Sequence, residues 1–159
     1  MNDGHESRGF VLLPGEGRTI DLHRFRMSVK AEGGQTGGSF SLLEAEEPPG
    51  FGPPLHIHRD AAEAFYVLEG EYTMFMEEQE VSCPAGSFVF IPAGMVHGFK
   101  VGNMASRKLN LYTPAAMVGY FDELSAALNS DHADEGTISA IAKAYSMEVV
   151  GPAAPRYTR

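Results

Sequence analysis

Gly50-Phe51-Gly52-Pro53-Pro54-Leu55-His56-Ile57-His58-Arg59-Asp60-Ala61-Ala62-Glu63-Ala64-Phe65-Tyr66-Val67-Leu68-Glu69-Gly70 is the stretch on which the reading of this chain turns. Residues two apart on a strand point to one face, so His56 and His58 present two imidazoles side by side. Arg59 to Ala62 is long enough for a turn that returns the Glu63 carboxylate to that pair. Ala64 to Leu68 is then a short apolar strand, ended by Glu69-Gly70, a turn signal in which Gly70 is expected at positive φ. A fourth side chain of the same kind, His97, must reach the group from a separate strand.

Working outward, short apolar runs ended by turn residues continue in both directions. Phe10–Leu13, Thr19–Leu22, Phe25–Lys30 and Ser39–Ala45 precede the quoted stretch, with a glycine-rich loop at Gly33 to Gly38. Leu55–His58, Ala64–Leu68, Tyr72–Met76, Glu80–Cys83, Phe88–Ile91, His97–Lys100 and Arg107–Tyr112 complete the set. Short connections favour antiparallel neighbours, and about ten strands with no helical period between them predict a sandwich or barrel. After Thr113-Pro114 the period changes: Met117, Tyr120, Phe121, Leu124 and Leu128 recur at helical spacing, with Thr113 as the cap and Pro114 at the first helical position. A second helix is predicted from Thr137 to Tyr145. Residues 1–113 therefore read as the β domain and 114–159 as a helical extension covering one barrel opening or a dimer seam.

Composition narrows the function classes. The 159 residues suit one domain, and 12 basic against 21 acidic side chains give a net charge of −9. Without a basic face the chain has no means of neutralising phosphates, which argues against nucleic acid and anionic membranes as partners. The single Cys83 can build neither an intrachain disulfide nor a thiolate zinc site, and with no signal-like start the expected location is the cytoplasm. Cys83 reads as a small buried apolar group, and His5, His23 and His132 as solvated surface residues.

His56, His58, Glu63 and His97 form an N₃O donor set suited to one borderline divalent transition metal, with positions left open for water, dioxygen or substrate. Fe, Mn, Co, Ni, Cu and Zn all accept it. At this chain's own residue frequencies such residues at four fixed offsets arise on the order of once per thousand sequences, so the spacing informs only against a pattern defined beforehand. The cupin superfamily supplies that pattern, and the chain resembles it in two motifs. Gly50, His56, His58, Glu63 and Gly70 meet the first in full; Gly86, Pro92, Gly94 and His97 meet the second, which departs only where Val101 replaces an asparagine.

The resemblance implies an antiparallel jelly-roll barrel, metal ligation by His56, His58, Glu63 and His97, and a homodimer. Strand parity from the ligands places Phe65 and Val67, and Met95, Phe99 and Val101, toward the interior, an apolar wall suited to a planar small molecule. The Pro53-Pro54-Leu55-His56-Ile57-His58 stretch and the Gly119-Tyr120-Phe121 helix are similar to small bacterial cupins of the quercetin 2,3-dioxygenase-like group. That similarity implies a dioxygenase acting with dioxygen on an aromatic or enolisable hydroxy-ketone, with Glu63 as catalytic base. A metal-containing binding or sensing module, or an isomerase of a sugar or keto acid, is the alternative.

Overall fold

The computed structural model describes residues 8–130 and 133–151; His5 and His132 lie outside the described residues. In chain order the elements are β1 (Arg18–Asp21), β2 (Arg26–Ala31), α1 (Gly33–Thr36), β3 (Ser41–Glu47), β4 (His56–His58), β5 (Ala62–Glu69), β6 (Glu71–Met76), β7 (Gln79–Pro84), β8 (Phe88–Ile91), β9 (His97–Val101), β10 (Ser106–Thr113), α2 (Val118–Leu128), α3 (Glu135–Ala144) and β11 (Met147–Val149). Two antiparallel sheets face each other as a jelly roll. One runs β1-β2-β3-β10-β5-β8 and the other β11-β4-β9-β6-β7.

Alternation decides which side chains fill the space between the sheets. On β2, Met27, Val29 and Ala31 are buried while the residues between them are not. One apolar cluster joins Ile20, Leu22, Met27, Val29, Leu43 and Ala45 to Met117, Val118 and Tyr120 of the C-terminal region; a second holds Phe65, Val67, Tyr72, Met74, Cys83, Val89, Ile91, Phe99 and Val101. Each valine, leucine, isoleucine, phenylalanine or methionine so buried contributes about 1.5–3 kcal/mol. Cys83 is 5% exposed, and burial followed by the charge of Glu71 pushes its thiol pKa up, which suits packing and not nucleophilic attack. No helix among the described residues is long and apolar enough to cross a membrane.

Five local expectations need correcting. Phe10–Leu13 forms no strand: it lies beyond β1, which pairs with β2, and Leu13 is instead held in a turn with Glu16. The glycine-rich loop contains one helical turn, α1, closed by Gly37 at φ 62°. The first long helix begins at Val118 and not at Pro114: Thr113 is the last residue of β10, and its hydroxyl donates to the Ser39 carbonyl. Ser41 Oγ ties Ala116 to β3 through both its carbonyl and its N–H, holding the chain in a turn up to Met117. The second helix starts at Glu135, capped by Asp134, which accepts from Thr137 N at 2.8 Å.

The fifth correction is the largest. The extension returns to the sheets as β11, which pairs with β4 at Met147↔His58 and Val149↔His56. It therefore flanks the strand that carries two of the four candidate ligands. Arg18 clamps α2 to β1 through a two-pronged ion pair with Asp122, at 2.7 and 3.0 Å.

Candidate metal centre

Three strands from two sheets converge on one point. β4 supplies His56 and His58, β9 supplies His97 opposite His56 in the ladder, and β5 of the facing sheet supplies Glu63. All four side chains are buried, and their donor atoms lie within 4.8 Å of one another. Glu63 Oε2 lies 2.9 Å from His97 Nε2 and 3.1 Å from His58 Nε2. Such spacings match adjacent corners of a shell with metal–ligand bonds of roughly 2.0–2.2 Å.

The ring orientations are fixed from behind. His56 Nδ1 and His97 Nδ1 each donate to a backbone carbonyl, Pro54 O at 2.8 Å and Met95 O at 2.9 Å, which turns Nε2 of each toward the cluster as the atom that would ligate a metal. His58 Nε2 is out of line for a hydrogen bond with Glu63, and it has no hydrogen-bond partner among the described residues. A buried nitrogen left so at the centre of three other donors fits a metal ion.

Electrostatics agree. For Glu63, burial alone would raise the pKa, but the close contacts and charges of His58 and His97 outweigh it and hold the carboxyl well below its usual range. His56 is driven down to about 4, chiefly by burial and then by His97, so it is neutral at pH 7 with its lone pair available. Burial would lower His97 as well, yet Glu63 wins and raises it. Without metal, the His97 ring beside Glu63 holds a proton more tightly than a free imidazole does, and a cation would compete with that proton.

Beside the cluster lies a cavity of about 380 Å³, within the range of small-molecule sites. His56, His58 and Glu63 form part of its wall, and Phe25, Phe51, Phe65, Phe99 and Tyr112 supply aromatic surface. The rest comes from the C-terminal region: Phe121, Leu124 and Leu128 of α2, Ile138 of α3, and Met147 and Val149 of β11. The extension covers the cavity and shapes it. His23 is exposed, as expected, at the cavity rim.

Phe65, Val67, Phe99 and Val101 all face the interior as parity expects; Phe65 and Phe99 line the cavity, whereas Val67 and Val101, two residues farther along their strands, lie in the second apolar cluster and outside the lining. Met95 is corrected to a half-buried position packed against that cluster, where its carbonyl holds His97. The sequence reading placed β10 at Arg107–Tyr112 but missed which of its side chains face inward. Its inward set is Ser106, Lys108, Asn110 and Tyr112, all buried, while Leu109 and Leu111 point the other way and are only half-buried. Tyr112 faces Glu63 across the ladder; burial, then the charge and hydrogen bonding of Glu63, raise its hydroxyl pKa well above the ordinary value, so it stays a proton donor. Lys108 is fully buried, donating to both oxygens of Glu47 at 2.7 and 2.6 Å, and Tyr72 donates to the same carboxylate at 2.8 Å. The ammonium also stands 4.1 Å from the Phe99 ring centroid.

Comparison with known proteins agrees with this geometry. Residues 43–108 match the cupin domain family. Over 119 residues, 72% of this chain and 34% of the relative, the sequence is 30% identical to quercetin 2,3-dioxygenase of Bacillus subtilis (strain 168). The chain thus spans about a third of that enzyme's length. Among solved structures, KdgF from Halomonas sp. superposes with TM-score 0.61 at 17% identity, covering 67% of this chain and 94% of its own. A predicted oxalate decarboxylase from Thermotoga maritima gives TM-score 0.55 at 22% identity, covering 61% and 90%. These two likenesses speak to the fold alone. Ligand spacing, two-sheet architecture and family match together show a cupin domain over residues 43–108, in a chain similar to the quercetin 2,3-dioxygenase-like group.

Proposed function

We propose that this protein is a metal-dependent dioxygenase acting on a flat aromatic or enolisable hydroxy-ketone of the flavonol type. One observation carries the reading: a buried three-histidine, one-glutamate donor set opens directly onto an aromatic cavity of about 380 Å³. The 30% identity to quercetin 2,3-dioxygenase supports it.

A divalent transition metal held by His56, His58, Glu63 and His97 would supply Lewis acidity that lowers the pKa of a substrate hydroxyl, and an open position for dioxygen. The protein's own groups do the rest. Phe65 and Phe99 present aromatic surface to a planar substrate, while Phe121, Leu124 and Leu128 of α2 and Ile138 of α3 add apolar wall. Glu63, ionised throughout neutral pH, takes the substrate hydroxyl's proton at a carboxylate oxygen, and the neutral Tyr112 hydroxyl beside it steadies that oxygen by donation. His56 remains neutral during this transfer.

The test is oxygen uptake by protein reconstituted separately with Fe, Mn, Co, Ni, Cu and Zn, against flavonols and simpler enolisable ketones. Consumption of oxygen together with one of the compounds is expected. Tight binding without consumption would replace the enzyme with a binding module.

A further inference from the structure

The outward side of the six-stranded sheet is not built as a wetted face. An antiparallel sheet with water on one side alternates apolar inward with polar outward. Here β8 turns Phe88 and Phe90 outward, 66% and 57% exposed, and β5 turns out Tyr66, 47% exposed. Leu109 and Leu111 of β10 lie on the same side, half-buried. The registers join these side chains into one surface: Tyr66 stands between Phe88 and Leu109, and Ala64 between Phe90 and Leu111, with Leu42 of β3 next beyond Leu111. At about 200 Å² for each aromatic side chain, the three exposed rings alone leave roughly 340 Å² of this face in water, as much as the largest apolar patch of many monomers. At its margin Glu44 is already paired within the chain, with Lys30 at 3.3 Å and Arg107 at 2.7 Å, so covering the face strands no charge there.

The same chain carries a counterpart. Phe10, Val11, Leu12 and Leu13 have strand composition, pair with no strand among the described residues and are exposed, Val11 by 81%. This arm is anchored on the outward side of β2, where the Ser28 hydroxyl and the Lys30 ammonium donate to the Glu16 carbonyl at 3.4 and 2.6 Å. From the Leu13–Glu16 turn the three residues back to Phe10 reach about 10 Å at most, whereas β8 lies four strand places from β2, about 19 Å along the sheet. The arm therefore falls short of Phe88 in its own chain. Residues 1–7, 131–132 and 152–159 contain no run of large apolar side chains to lay there instead.

We propose that this face is the interface of a two-fold homodimer in which the Phe10–Leu13 arm of each chain lies along β8 of the other. A two-fold axis parallel to the strands, midway between β10 and β5, sets β5 of one copy opposite β10 of the second and β8 opposite β3, so that aromatics meet leucines. It also sets β2, with the arm anchored on it, one strand place past β8 of the second copy, beside the edge at which that sheet ends. Arm, exposed rings and half-buried leucines together give roughly 700–800 Å² of apolar surface per copy, the amount that one side of a stable complex buries. Leu109 and Leu111 face outward because that side of the sheet is covered too.

Sedimentation equilibrium of the full chain over a dilution series tests this. Wild type is expected to be a dimer. Phe88→Glu brings one carboxylate from each copy into the interface and is expected to weaken dimerisation by at least about a hundredfold. Phe90→Ser, which only removes apolar area, carries the comparison if the glutamate variant does not fold. Val11→Asp is expected to weaken the dimer about tenfold through the arm. Val150→Glu, an exposed position beside β11 of the other sheet, is expected to leave it intact, and circular dichroism of each variant is expected to match wild type. A wild-type chain that is monomeric at every concentration assigns the face to a different partner and overturns the homodimer. A dimer unmoved by Phe88→Glu and Phe90→Ser, or one weakened equally by Val150→Glu, overturns this choice of face. A dimer that Phe88→Glu dissolves and Val11→Asp leaves unchanged upholds the sheet interface and overturns the arm.

Discussion

Replacing Lys108 with methionine removes a cation that is fully buried and leaves Glu47, itself 3% exposed, without its two charge-assisted hydrogen bonds of 2.7 and 2.6 Å. Methionine fills nearly the same volume against Phe65, Tyr72 and Phe99, so packing changes little. The loss is electrostatic. A buried carboxylate deprived of its partner destabilises by about 3–5 kcal/mol, of which the single remaining bond from Tyr72 recovers only part. For a chain of this size each kcal/mol shifts the melting temperature by about 2–4 °C, so Lys108→Met should melt roughly 6–20 °C below wild type. Adding Glu47→Gln neutralises the stranded charge and keeps an acceptor for the Tyr72 hydroxyl, and the double variant should recover most of the deficit. Calorimetric melts of the three proteins decide the matter. A single variant melting within about 3 °C of wild type, or a double variant no more stable than the single, would refute the view that this pair is a closed ionic unit in the cavity wall.

Three further outcomes follow from the same structure. Gly70 has φ +74°, and a Cβ there would collide with Ser106 Oγ and stand 2.8 Å from Ser106 Cβ, so Gly70→Ala should lower the melting temperature by several degrees without altering metal content; a wild-type melt would contradict this. Glu63→Gln keeps an oxygen donor but cannot take a proton, so it should retain some metal and lose turnover, and unchanged activity would remove Glu63 from the role of base. In the metal-free protein the raised pKa of His97 contributes stability that is complete below about pH 6.5 and lost as pH rises through the raised value, while the depressed pKa of Glu63 contributes above about pH 4.5 and fails as pH falls through its lowered value. Metal needs the neutral imidazole, so the rise in melting temperature on adding metal should grow from pH 6 to pH 8, a trend that melts at fixed free metal would show or deny.

The two ligand motifs made the centre legible because ligand parity and turn glycines are local properties: His56 and His58 are two apart on one strand, and Gly70 and Gly94 occupy positive φ where expected. Phe65 and Phe99 followed from the same parity. The strand β10 was legible, but its inward face was not. Its apolar residues Leu109 and Leu111 alternate with Lys108, Asn110 and Tyr112, and hydrophobic periodicity assigns the wrong set to the interior. Only the partners across the fold, Glu47 for Lys108 and Glu63 for Tyr112, reverse that assignment, and both are distant in sequence. β11 escaped for a related reason: its three residues gain strand character from pairing with β4, after a turn at Ser146 with φ 55° that no glycine announces. Phe10–Leu13 shows the converse, a run with strand composition that pairs with no strand among the described residues.

The most direct test is metal analysis of the purified protein beside His56→Ala, His58→Ala, Glu63→Ala and His97→Ala, each loaded with the same ion and dialysed. If these four side chains form one centre, wild type holds one transition-metal ion per chain and each variant loses most of it while circular dichroism still reports a folded β protein. Full metal content in any variant would remove that residue from the set, and absence of metal from wild type after loading would contradict the centre itself.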